Sequence, residues 1–210
     1  MKKNRFAIAV FLMLFFNVTG SIALFIPALE TTVLTLTPFN LLVTFFLFYW
    51  ANNDFSINLI RTVIVVFFIG LFIEILGVNF KVIFGEYSYG ETLGFKILKT
   101  PIIIGLNWLS LSLACFGIAS YIFKPKHLVV LGASFLMVFV DYIIEPIAMV
   151  LDFWHWKDDT VPVQNYVSWF LVSIIIQFII FQSKVRLNFK ICFALLFSQV
   201  LFMLIQYFKF

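Results

Sequence analysis

Apolar residues follow one another along this chain in long blocks, and short clusters of polar and charged residues separate the blocks. A helix needs about 20 predominantly apolar residues to cross a bilayer, so the pattern predicts about seven spans. The first runs from Met1 to Ile26. It is longer than the apolar core of a signal peptide, typically about 7 to 15 residues, and no small-x-small cleavage site precedes Pro27, so it reads as a span. The second begins at Thr37-Pro38, a helix-start pair, and ends near Trp50. The third covers Ile57 to Val78, and the fourth runs from Pro101 to Phe123. The fifth starts at Leu128 and is expected to kink or break around Pro146. The sixth runs from Val163 to Gln182, and the seventh ends near Tyr207. The longest break, Asn79 to Thr100, is rich in aromatic residues and glycine and reads as an ordered lid or half-buried segment rather than a disordered linker.

Composition fixes the class. Of 210 residues, 63% are hydrophobic and 11% charged, whereas soluble domains carry about 25% charge. The expected fold is an all-α, polytopic transmembrane helix bundle of about seven spans, with a long aromatic loop between spans three and four. Residues 1–210 form one integral membrane domain in this reading. The net charge of +4 does not point to nucleic acid, because Lys and Arg sit in short clusters between apolar blocks, as in membrane topology signals. The face carrying the N-terminus, the Asn52 turn, Lys124 to His127 and Ser183 to Lys190 holds nine of the 14 basic residues. That predicts a cytoplasmic N-terminus in a cell inner membrane. The Asn79 to Thr100 loop and the end of the Asp141 to Trp156 stretch then share the opposite face. Cys115 and Cys192 lie inside apolar blocks and read as packing residues rather than a disulfide.

Chemistry enters with DYIIEPIAMVLDFWHW, residues 141–156. On a continuous helix at about 100° per residue, Asp141, Glu145 and Asp152 fall within about 40° of one another. Carboxyl groups at bilayer depth cost at least about 2.5 kcal/mol each, so they face a bundle interior or wet cavity. Asp141 and Glu145, one turn apart, do not both ionise cheaply. One holds a proton and is a donor, and its ionised neighbour is the matching base. The alternative is structural, each acid hydrogen-bonded to a Tyr, Asn or Lys of another span. Glu74 is a third candidate, or a partner for Lys81. Trp154, His155 and Trp156 form either an interfacial aromatic belt or a cavity wall that stabilises positive charge. Asn107-Trp108, Asn165 and Trp169 place amides and aromatic rings within apolar helices, as interhelical glue or as binding groups. His155 and His127 fall on opposite predicted faces, so no metal is expected. The run 84–90 lacks the spacing of a phosphate loop, and no Ser-His-Asp or Cys-His arrangement appears.

In this order FGEYSYGETLG, Pro101, Asn107-Trp108, DYIIEP, LDFWHW and VPVQNYVSWF resemble the membrane-embedded carotenoid biosynthesis proteins, specifically the carotenoid 1,2-hydratase type that includes bisanhydrobacterioruberin hydratase. The resemblance spans roughly Glu74 to Phe170 and rests on the set of motifs, not on any one. It implies a lipid-dissolved carotenoid as substrate, membrane lipid and other carotenoid pathway enzymes as candidate partners, and no cofactor. A carboxylic acid protonates a terminal isoprenoid double bond, aromatic faces steady the tertiary cation, and a second carboxylate takes a proton from the attacking water. Asp141 and Glu145 are the expected proton-transfer groups, with Glu74 or Asp152 positioning water. Trp108, Trp154 and Trp156, with Tyr87 and Tyr89, form the expected wall. Two other readings stand beside it: a membrane carotenoid cyclase that quenches the same cation by ring closure, and a proton or solute carrier.

Overall fold

The computed structural model describes residues 2–209, so Met1, where the first span is expected to begin, lies outside the described residues. Seven helices account for the apolar blocks: α1 (Lys2–Ala23), α2 (Pro27–Asn52), α3 (Ile57–Phe80), α4 (Ile103–Ile122), α5 (Lys126–Val150), α6 (Val163–Ser183) and α7 (Phe189–Gln206). All seven are long and apolar enough to cross a membrane, and the chain is an integral membrane protein. Small strands occur in two loops: β1 (Tyr87–Tyr89), β2 (Lys96–Ile97), β3 (Thr100–Pro101) and β4 (Trp154–Trp156).

The helix connections alternate between two faces. On the N-terminal face, Arg5 donates to Asn53, and Asn52 donates to the Arg186 carbonyl. On the opposite face, Lys209 donates to Glu30, and β1 pairs with β4. The two long loops therefore meet, as their shared face predicts, and they form a cap of backbone ladder over one end of the bundle.

The central helix is α4, which touches α2, α3, α5, α6 and α7. Its sequence explains the position. Gly105, Ser110, Ser112, Ala114, Gly117 and Ala119 are small, and in lipid, close packing rather than water exclusion holds helices together. A Cβ on Gly117 would fall 2.2 Å from the Cys192 sulfur of α7.

The second helix does not start at Thr37-Pro38. Helix α2 starts at Pro27 and continues through Pro38, because Pro27 already fills the first-turn position that needs no N–H. The hydroxyls of Thr35 and Thr37 donate to the carbonyls of Thr31 and Val33, tying down the turns around the second proline. Helix α5 likewise runs unbroken through Pro146 to Val150.

Helix α5 stops just short of Asp152, and the stop is a Schellman turn. The Phe153 N–H reaches the Ala148 carbonyl at 2.8 Å and the Asp152 N–H reaches Met149 at 3.3 Å. Asp152 takes the left-handed conformation, φ 55°, that such a stop requires and Asp tolerates. From there the chain enters β4, antiparallel to β1, with Tyr87 opposite Trp156 and Tyr89 opposite Trp154. Strand alternation sends these four rings toward the bundle, while Ser88 and His155 face outward.

Candidate active site

Two buried acid centres sit beneath the β1–β4 cap. The first is Glu74 of α3, which accepts three hydrogen bonds. The Tyr87 and Tyr89 hydroxyls donate to Oε2 at 2.5 and 2.7 Å, and Trp108 Nε1 donates to Oε1 at 2.8 Å. Two glycines make this possible. A Cβ at Gly70 would lie 2.4 Å from Trp108 Cβ, and one at Gly77 would lie 2.6 Å from the Phe84 ring and 2.9 Å from the Tyr87 hydroxyl. They lie one turn before and one turn after Glu74 and open the helix surface for its aromatic donors.

The second centre is the pair Asp141 and Glu145 on α5, both 2% exposed. Asn165, in the first turn of α6, donates from its single amide nitrogen to Asp141 Oδ2 at 2.9 Å and to Glu145 Oε1 at 3.1 Å. Trp154 and Trp156, brought in by β4, both donate Nε1 to Glu145 Oε2, at 2.8 and 2.7 Å. Glu145 thus accepts three hydrogen bonds, as Glu74 does. Asp141 accepts one among the described residues.

The two centres border one small space of about 20 Å³, roofed by Tyr87, Tyr89 and Trp156 and walled by Trp108 and Trp169. Those two indoles stack at 3.9 Å between ring centres, 15° from parallel. The space is about right for one water-sized molecule. It adjoins a larger apolar cavity of about 450 Å³ between α1, α2, α4, α5 and α7, and Ile104, Asn107 and Trp154 line both. Leu36 and Phe39, exposed on the outer surface of α2, also line the larger cavity, so it is reachable from lipid.

Of the residues expected from sequence, Glu74, Tyr87, Tyr89, Asn107, Trp108, Asp141, Glu145, Trp154, Trp156, Asn165 and Trp169 converge on this small space. Glu74 does not pair with Lys81, which instead joins Lys157 on Glu86. Asp152 and His155 do not converge. Asp152 lies past the end of α5, about half exposed, and takes the Glu91 N–H at 2.8 Å and the His155 ring at 2.8 Å. Partial burial raises its carboxyl, but the His155 and Glu91 hydrogen bonds more than offset this and hold it below the usual carboxylate range. His155 faces away because it is the middle residue of β4. Phe84 lines the space without having been singled out, and as one of 30 phenylalanines it carries no sequence signal. The same holds for the larger cavity's apolar wall. Among the described residues, no group of three His, Cys, Asp or Glu is placed to hold a metal ion.

No curated protein and no solved structure gives a significant match. A family model described as carotenoid biosynthesis protein matches residues 36–208, which takes in both acid centres, the cap and most of the apolar cavity. The chain belongs to the carotenoid biosynthesis protein family.

Proposed function

We propose that this protein is a cofactor-free hydratase that adds water across the terminal isoprenoid double bond of an acyclic carotenoid, giving a tertiary alcohol. The observation that carries the reading is the shared wall of Ile104, Asn107 and Trp154. It lets the end of a long apolar molecule lying in the larger cavity touch the acid pocket while the rest stays in an oily channel. A volume of about 450 Å³ falls in the range of about 300–1,000 Å³ usual for small-molecule sites.

The hydrogen bonds suggest how the work divides. A carboxyl group that accepts three N–H or O–H donors has its oxygens set up as acceptors, which describes Glu145 and Glu74. Asp141, with one acceptor bond, is the member of the adjacent pair free to carry the shared proton. Asp141 gives that proton to the inner, CH carbon of the terminal double bond, which leaves the tertiary cation on the dimethyl-bearing carbon, against the faces of Trp108, Trp154, Trp156 and Trp169. Water then bonds to the cation, and Glu145 takes one of its protons. The pair ends with the single proton it began with, and the net change is one water added.

Expression in a host that accumulates an acyclic carotenoid should yield a product heavier by one water. Asp141→Asn and Glu145→Gln should each lower its formation at least ~100-fold, the low end for loss of general acid–base catalysis. Full activity in both variants would exclude the pair. The crowded aromatic pocket also favours a second reading, ring closure of the same cation, which would give a cyclic product of unchanged mass. An unaltered pigment profile would leave the carrier reading.

A further inference from the structure

We infer that the two reactants approach from opposite sides: the polyene through the lipid-facing cavity, and water through the partition made by Tyr87, Tyr89 and Trp156. This rests on the hydratase reading. On the loop face lies an open basin of about 580 Å³ rimmed by Lys81, Glu86, Lys96, Lys99, His155 and Lys157. Lys81 and Lys157 both pair with Glu86, and all three side chains are exposed, so the basin is ionic and open to solvent. Tyr87, Tyr89 and Trp156 line this basin and also the acid pocket. One layer of side chains separates bulk water from the reacting centre.

That layer is polar where it matters. Both tyrosine hydroxyls spend their proton on Glu74 Oε2, which leaves each oxygen able to accept a hydrogen bond from a passing water. The Tyr87 ring packs 5.6 Å from Tyr89 and 4.9 Å from Trp156, so these rings close the layer, and in this proposal water passes when one of them is displaced. The other approach is occupied. The larger cavity is lined mainly by apolar side chains, with Asn17, Thr19, Thr37, Asn40, Asn107 and Gln199 among them, and on the hydratase reading the polyene fills it during reaction. Water therefore meets the cation from the tyrosine side. Its oxygen bonds to the cationic carbon, and the proton it loses goes to Glu145.

The test reads how the cation is partitioned. Tyr87→Phe with Tyr89→Phe keeps both rings and removes both hydroxyls. The hydrated share of product should fall roughly tenfold in favour of products formed by proton loss or ring closure. A purely structural role would lower all products together and leave that share unmoved. A second measurement avoids altering the partition. Ser88 is exposed on the basin side of β1, and the native Cys115 and Cys192 are buried. Labelling Ser88→Cys with a bulky polar thiol reagent should lower the hydrated share in the same way. An unchanged share in both experiments overturns the inference. Absence of any hydrated product from the unaltered protein instead overturns the hydratase reading on which it rests.

Discussion

Each buried carboxyl group in this bundle is distinguished by the number of donors aimed at it. Glu74 has a phenol, a second phenol and an indole, so deleting one leaves a buried carboxyl group short of a partner. Trp108→Phe, which keeps most of the stack on Trp169, should cost about 1–3 kcal/mol, measurable as a lower thermal midpoint in detergent. The phenols carry a signature of their own. Burial, then the Glu74 carboxyl, push Tyr87 and Tyr89 well above their ordinary value near 10. The unfolded chain ionises them near pH 10 and the folded chain does not, so their contribution to stability is intact below about pH 10 and declines as pH rises beyond it. Absorbance titration should show two fewer phenols that resist ionisation until unfolding in the doubly substituted protein than in the unaltered one. The main residues of this chemistry were legible because polar side chains are conspicuous in apolar blocks, as with Asn165, Asp141 and Glu145. Asp152 misled for an instructive reason: the helical wheel is right about angle and silent about where the helix ends.

Elements, rather than single residues, bring the two centres together. Helix α5 supplies the paired acids and then stops in a Schellman turn that contains no glycine, which is why its end was invisible in sequence. The three-residue β4 that follows is too short to show a period, so the outward turn of His155 was equally hidden. Pro38 misled in the opposite sense, since it lies within a helix that membrane packing sustains. Two outcomes belong to this scale. Asp152→Asn should leave turnover within about twofold, because Asp152 secures the cap to Glu91 and lies outside the pocket. Any stability it adds should weaken as pH falls through its depressed ionisation, since the anion is the form the cap binds. Gly77→Ala should do the reverse and lower turnover, because its methyl group drives into Phe84 and the Tyr87 hydroxyl and dislodges the roof from Glu74. Overpacking of this kind costs about 1–3 kcal/mol, read from the same thermal midpoint.

At the scale of the whole molecule, the seven-helix architecture follows from block length alone, whereas the apolar cavity does not, because its lining repeats residue types found on every lipid-facing surface. Its role is open to a steric test. Ala23, near the end of α1, lines it, and Ala23→Phe should raise the apparent KM for a long carotenoid with a smaller effect on kcat, since the acids are untouched. Equal effects on both constants would place the polyene elsewhere. Of the five tryptophans in the chain, Trp108, Trp154, Trp156 and Trp169 border the acid pocket, and only Trp50 stands apart. The intrinsic fluorescence of the protein is therefore concentrated at one spot. A coloured polyene docking there will drain that emission by energy transfer, so occupancy can be followed in unlabelled protein, with Trp50→Phe removing the background from the far face.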